Sequence, residues 1–489
     1  MRFCSLKECV LSMLSALLFS SGIALAQDAP QLETLSNVEQ QARLAGQQLA
    51  LEQATYLPEL RFPAPEGNAN ISLVTMYSAQ QGSWSFEPFV HNGLFRAIAG
   101  YQSHHPQAVV IQGGSITLQQ LYTQLNDEKI LSRYKEGYLL RYPLMIEPGA
   151  ALLVHNTELY LYNYSGTALI NKGFLSLNNA RLQSHNDNRP QATDRPYRPF
   201  LINWAGSSLR IEASHLTELG YNENLSRGVT SARSVHQPSS VSPARVLVSN
   251  SDFKDMSVGL ELSHALARAN KNTFTHMQQY AMDFSNSRVQ VENNRIDTVR
   301  NLSGIRLLGD VKGRIEGNKV LRANKSAIEV TDFSGELIVR NNQLGANAGY
   351  GVLLRNASTR SQLLLADNLI GNTSLTAIDG ANLNQLSLTG NLITGTPEYA
   401  ISIRNSRPAE GPLIVISNHL WGIGKAMLRV QGVHSVVLGE NKFQANPLLQ
   451  NIMIGDLLRY QAPLLEMMLG QERTVALKMA KVSLLPADG

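Results

Sequence analysis

From about residue 150 to residue 444 the chain shows short runs of alternating apolar and polar residues, with no helical period between them. The runs are ordered by an asparagine in a fixed setting: alternating apolar positions, then Asn, one variable residue and an apolar residue. It occurs as Asn272-Thr-Phe274, Asn294-Arg-Ile296, Asn318-Lys-Val320 and Asn342-Gln-Leu344. It continues as Asn368-Leu-Ile370, Asn391-Leu-Ile393, Asn418-His-Leu420 and Asn441-Lys-Phe443, at intervals of 22 to 27 residues. Ser251-Asp-Phe253 and Ser214-His-Leu216 take the same place earlier, with Ser for Asn. About ten residues after each Asn comes a second strand signal, as in Gly304-Ile-Arg-Leu307, Ala327-Ile-Glu-Val330, Gly351-Val-Leu-Leu354 and Ala400-Ile-Ser-Ile403. Two or three short strands per repeat predict one coil of an all-β, right-handed parallel β-helix. Inward Ile, Val and Leu stack on their equivalents in the next coil. The corner Asn is expected to tolerate a left-handed backbone and to ladder its amide through the stack. A leucine-rich repeat would need the Leu-x-x-Leu-x-Leu frame, and a propeller longer repeats of four strands.

The β-helix is placed at residues 141–444, between a short helical N-terminal region at 27–140 and a C-terminal cap at 445–489. Ser36-Asn-Val-Glu39 reads as a capping box opening a helix that Pro58 stops, and residues 58–67 read as a linker. Thr117-Leu-Gln-Gln120 reads as a second capping box, whose helix carries Leu118, Leu121, Tyr122 and Leu125 on one face. Such a helix would cover the open end of the first coil, where bare strand edges invite aggregation.

Ahead of this, Arg2 and Lys7 precede an apolar stretch, Val10 to Phe19, and Ala24-Leu25-Ala26 ends it with small residues. That is the pattern of a secretory signal over residues 1–26, cleaved after Ala26, and it predicts export to the periplasm of a Gram-negative bacterium. Both cysteines, Cys4 and Cys9, fall inside it, so the mature chain would hold no disulfide or thiolate site. No later run reaches the ~18 apolar residues of a membrane helix, so no transmembrane segment is expected in the mature chain. The net charge of +4 is too small to argue for nucleic acid. No His/Cys/Asp cluster stands at metal-ligand spacing and no phosphate-binding loop precedes a helix, so neither metal nor cofactor is expected.

Aligning coils on the second strand predicts two outward columns, ~4.8 Å per coil. One reads Thr230, Glu261, Asp283, Arg306, Glu329, Leu353, Asp379, Ser402; the other Ala232, Ser263, Ser285, Leu308, Thr331, Arg355, Ala381, Arg404. Acids, bases and hydroxyls on one flat face suit a groove for a long polysaccharide. They also suit a solvated face whose charges pair, as Asp283 and Arg306 would.

Over residues 105–445 the chain resembles the periplasmic mannuronan C5-epimerases of bacterial alginate biosynthesis. The matching stretches include Gly113-Gly114, Tyr142-Pro143-Leu144 with Pro148-Gly149-Ala150, and Arg198-Pro199-Phe200. Trp204 with Gly206, Leu219-Gly220-Tyr221, Asn272-Thr273, Tyr280 and Asp283 continue the match. The resemblance implies the same fold, the periplasm and a uronate polysaccharide in the groove. The family's catalytic signature, Asp-Pro-His-Asp, supplies through its His the base that removes the C5 proton. Here the aligned residues are Asp283-Phe284-Ser285-Asn286, and the family's carboxylate-neutralising arginine aligns with Gly309. Abstracting a proton beside a carboxylate needs a base near neutral pKa and a cation for the developing charge, and both positions have changed.

The reading that follows is a non-catalytic protein that binds or escorts an anionic exopolysaccharide, in the company of other periplasmic polysaccharide-export proteins. Glu261, Tyr280, Ser285, Asn286, Glu329, Arg355 and Arg404 would line the groove. One alternative is an active poly(β-D-mannuronate) C5-epimerase with rearranged catalytic residues drawn from Asp283, Arg306, His264 and His276. Another is a uronan lyase or glycosidase. Glu261 and Glu329, three coils or about 14 Å apart, exceed the inverting range of roughly 6.5–9.5 Å, whereas Glu261 and Asp283 approach the retaining distance of ~5 Å.

Overall fold

The structure is a computed structural model that describes residues 30–77, 85–102, 105–187, 196–221, 223–234, 237–238, 240–469 and 473–479. The expected signal segment and both cysteines lie outside the described residues. The chain winds into a right-handed parallel β-helix of about 13 turns. Its strands form three sheets of 15, 15 and 14 strands. Each coil passes from sheet A to sheet C to sheet B; one coil is Ala265–Asn270, Thr273–Met277 and Tyr280–Ser285. The stack begins at Gln107–Gln112 and Gly114–Thr117, ahead of residue 141, and sheet B runs on to Met453–Gly455. Inward residues of all three sheets make one continuous apolar core from Val109 to Leu477.

The asparagine repeat is a buried ladder. Asn318 Oδ1 accepts from the backbone N–H and the Nδ2 of Asn294, both at 2.9 Å. Its own Nδ2 donates to Asn342 Oδ1 at 3.0 Å and to the Val291 carbonyl at 2.9 Å. The same links join Asn272 to Asn294 and continue from Asn342 to Asn441. Ser251 and Ser214 extend it upward, Ser251 N–H donating to Asn272 and Ser214 N–H to Ser251. One detail of the sequence reading is corrected. The left-handed residue is the one before each ladder Asn: Lys271, Asn293, Gly317, Asn341, Asp367 and Gly390 have φ between 54° and 65°. The chain turns at that exposed position, which aims the following Asn amide inward along the stack.

The helix Leu118–Leu125 has its capping box, Thr117 with Gln120, and buries Leu118 and Leu121 against the first coil. The helix Asn37–Ala54 does not have the expected one. Ser36 makes no side-chain cap bond, because it is paired as the last residue of a strand, Gln31–Ser36, held antiparallel to Arg473–Lys478. That pairing puts the N-terminal segment at the C-terminal end of sheet A. From there it runs back along the outside of the sheet. Leu51 packs on Ile338, Leu364 and Ala366; Arg340 bonds Glu52 at 3.1 Å; Arg314 bonds Thr55 Oγ1 at 3.1 Å. The 58–67 stretch is likewise held, Arg245 donating to the Arg61 carbonyl at 3.1 Å.

A second segment positions the groove. Phe86, Phe89, Leu94 and Ile98 pack over the outward residues of the first sheet B strands, Val110, Met145, Ile170, Ile202 and Trp204. Sheet B is therefore covered up to its Ile202 rung, and its outward column turns polar at Thr230.

Candidate functional site

Sheet B has the register that the coil alignment predicts. Thr230, Glu261, Asp283, Arg306, Glu329, Leu353, Asp379 and Ser402 are successive Cα partners, and Arg429 follows. Ser263, Ser285, Leu308, Thr331, Arg355, Ala381 and Arg404 form the second column. Apolar residues alternate inward, so these side chains stand on the outer face.

Three acids on this face, Asp283, Glu329 and Asp379, point outward yet are buried, because cations lie over them, and Glu261 is part-buried. Asp283 is 4% exposed. Arg306, from the next rung, grips it in a bidentate pair, Nε to Oδ1 at 2.8 Å and Nη2 to Oδ2 at 2.5 Å. The same guanidinium sits 4.5 Å from the centroid of the Tyr280 ring. Burial works against the charged Arg306, but the bond to Asp283 and that carboxylate's charge win and hold its pKa above the ordinary value. Burial pushes the Tyr280 hydroxyl up to about 12 against the opposing charge of Arg306, so at neutral pH it keeps its proton.

Glu261 and Glu329 take their partners from the turns entering sheet B. Arg227 donates to Glu261 Oε1 at 2.8 Å. Lys325 reaches Glu329 Oε1 at 2.5 Å and Ser303 donates to its Oε2 at 2.6 Å. Burial raises the Glu261 pKa; Arg227 opposes and Asp283 adds to the rise. Its Oε2 is buried with no hydrogen-bond partner among the described residues. Further along, Asp379 holds two arginines, Arg355 Nη2 at 2.5 Å and Arg404 Nη2 at 3.0 Å from both oxygens.

The structure thus brings Glu261, Tyr280, Asp283, Ser285, Arg306 and Glu329 onto neighbouring rungs, with Arg355 and Arg404 on later ones. Asn286 forms the corner next to Ser285, and its Oδ1 accepts the Asp310 N–H at 3.0 Å. His264 occupies the equivalent corner one coil earlier, φ 52°, its Nδ1 2.9 Å from Ser263 Oγ. His276 is on a different sheet: it belongs to the sheet C strand Thr273–Met277 and lines a separate hollow with Arg198, Glu218, Asp255, Gln278 and Arg300. Gly309 is left-handed at φ 73°, and a Cβ there would come 2.5 Å from Asn286 Oδ1. Position 309, which the resemblance would align with the family's arginine, is closed to any side chain while Asn286 keeps its place. The partners missed from the sequence, Arg227, Ser303 and Lys325, all lie in turns without strand period. Only the Lys325-x-x-x-Glu329 spacing hinted at one of them.

At neutral pH the Asp283 rung holds a neutral phenol, a spent ion pair and a serine with no base beside it. One rung away, the part-buried Glu261 keeps its Oε2 without a hydrogen-bond partner among the described residues. Among the described residues no group of three or more His, Cys, Asp or Glu side chains is placed to hold a metal ion, and no helix is long and apolar enough to cross a membrane.

Residues 259–419 match the family model for a right handed beta helix region. The AlgG mannuronan C5-epimerase of Azotobacter vinelandii is 31% identical over 145 residues, 28% of this chain and 28% of that protein. The mannuronan C5-epimerase of Pseudomonas aeruginosa is 29% identical over 136 residues, 26% of this chain and 25% of that protein. These alignments span about a quarter of the curated relatives' length. The crystal structure of the periplasmic alginate epimerase AlgG superposes with a TM-score of 0.68 at 20% identity, covering 80% of this chain and 95% of that one. The matched coils are thus similar in sequence to mannuronan C5-epimerases, and the fold over most of the chain is that of the periplasmic alginate epimerase AlgG.

Proposed function

We propose that this protein is a non-catalytic escort for an anionic, alginate-like exopolysaccharide, acting in the periplasm during biosynthesis or export alongside other export proteins. The observation that carries the reading is the Asp283–Arg306–Tyr280 arrangement. The cation nearest the aligned catalytic rung is already committed to Asp283, and Ser285 stands where the relatives' signature has its base. A polar face several rungs long, open beyond Ile202, suits a linear uronan held by many modest contacts. The fold likeness to a protein described as a periplasmic alginate epimerase supports both the compartment and the ligand class.

The test is proton NMR of poly-mannuronate with the purified mature protein in deuterium oxide. The expected result is binding with an unchanged C5 proton signal. Loss of that signal would show that a displaced base works, and would refute the escort reading.

A second reading, a uronan lyase or glycosidase, is favoured by Glu261. Its raised pKa and uncommitted Oε2, one rung from Asp283, are what a general acid requires. New reducing ends or unsaturated uronate ends, lost on Glu261→Gln, would establish it.

A further inference from the structure

The charges on sheet B are not balanced evenly along the groove. On the rungs from Glu261 to Glu329, three acids meet three cations: Arg227, Arg306 and Lys325. On the later rungs, Lys425 is paired with Glu398 at 2.8 Å, and the strand face then carries Arg355, Arg404 and Arg429 against the single acid Asp379. Asp379 is saturated by the first two. Arg355 also spends Nη1 on the carbonyls of Leu354 and Asp379, at 2.8 and 3.1 Å. Arg404 is the less committed. Its Nε is buried with no hydrogen-bond partner among the described residues, and the same holds for the Oγ of Ser402, which is 1% exposed and one rung from Asp379. Ala381 lies between Arg355 and Arg404 in their column. Arg429, one rung beyond Ser402, stands over the Tyr399 ring at 5.3 Å.

Buried donors without acceptors, beside surplus positive charge, mark a place shaped for an anion brought from outside. We infer that Arg404, Ser402 and Arg429 form a carboxylate-anchoring subsite for one uronate unit of an acidic polysaccharide. It lies five to six rungs, or about 24–29 Å at ~4.8 Å per rung, from Asp283. The inference rests on the escort reading and adds to it where the polymer is gripped: on the C-terminal coils and not at the rung aligned with the relatives' catalytic signature. Arg355 is the positioning residue, since it keeps Asp379 neutralised when Arg404 turns to the ligand.

The test is calorimetric titration of the full mature protein with oligomannuronate of defined length, with neutral manno-oligosaccharide as the control. Arg404→Gln and Arg429→Gln should each weaken oligomannuronate binding by about tenfold and flatten its salt dependence. Arg404→Lys, which keeps the charge and loses Nε, should fall between. Arg306→Gln should change binding by less than about threefold, because that guanidinium is already spent on Asp283. Wild-type-like binding by both the Arg404 and Arg429 variants would overturn the subsite and leave the escort reading standing. No binding of oligomannuronate by the unaltered protein would overturn the escort reading and the subsite together.

Discussion

Replacing Asp283 with Asn separates a structural ion pair from a ligand-contacting acid, because the two roles predict opposite changes in binding. The substitution keeps the shape and removes the charge that receives Arg306 Nε and Nη2. Removing one partner of a fully buried pair costs about 3–5 kcal/mol. Here the Arg306 side chain is 25% exposed and keeps its contact with Tyr280, so the lower figure for charged hydrogen bonds applies, about 2 kcal/mol. In a solenoid each coil contacts chiefly its neighbours, so the loss is local and a global unfolding midpoint would dilute it. Hydrogen exchange at the amides of Met282, Phe284, Ile305 and Leu307 reads it directly, and about 2 kcal/mol corresponds to roughly thirtyfold faster exchange through local opening. The double variant Asp283→Asn/Arg306→Gln should recover part of the loss, since no buried charge is then left without a partner. Oligomannuronate should bind the single variant more tightly than the wild type, because the freed guanidinium can meet a sugar carboxylate. Unchanged exchange at these amides, strict additivity in the double variant, or abolished binding in Asp283→Asn would each refute the reasoning.

Two further outcomes follow from the same structure. Asn318→Ala removes the acceptor of the Asn294 N–H and a donor to the Val291 carbonyl in the core of the ladder. With about 1–3 kcal/mol for each buried group left unsatisfied, the flanking coils should lose roughly 2–4 kcal/mol. Hydrogen exchange should rise in Arg295–Val299 and Lys319–Ala323 and stay unchanged beyond Tyr399. Glu261 gives a pH signature: burial raises its folded pKa above the ordinary 4.5, so the folded state holds this proton more tightly than the unfolded chain. Its contribution to stability is full below 4.5 and is lost as pH rises through the raised value. Glu261→Gln should flatten the fall in urea resistance across that window, and parallel pH profiles for variant and wild type would contradict it.

The coil period, the ladder and the sheet B register could be read from the sequence because one constraint sets all three. The perimeter of a coil fixes the spacing of Asn272, Asn294 and Asn318, and once that spacing is known the alternation of strands assigns Glu261, Asp283 and Arg306 to one column. What could not be read depends on elements outside the period. Ser36 looks like a helix cap, but its backbone is claimed by pairing with Arg473, more than 400 residues away. Residues 58–67 look like a linker, yet Arg245 bonds the Arg61 carbonyl, and just ahead of the stretch Arg268 and Arg288 bond those of Leu57 and Tyr56. The polar columns look like an exposed face on which Asp283 and Arg306 pair, and the structure adds that Asp283, Glu329 and Asp379 are buried beneath cations, two of them with partners from neighbouring rungs and one from a turn.

On the escort reading, that burial bears on how such a scaffold would settle once no chemistry is asked of it. Stacked strands bring the acids of neighbouring coils to ~4.8 Å, a separation at which like charges repel and each acid needs a cation or a proton. A catalytic rung resists this settlement, because its base and its cation must stay uncommitted for the substrate. On the escort reading nothing requires Arg306 to remain free, and Coulomb attraction closes it onto Asp283. The same relaxation should consume every cation that has an acid within reach. Among the described residues of sheet B, Arg404 and Arg429 are the cations left in surplus: Arg404 shares Asp379 with Arg355, and Arg429 rests on the Tyr399 ring. Charge left over after the protein has paired what it can is the part of the groove available to a polyanion, and it lies on the C-terminal coils.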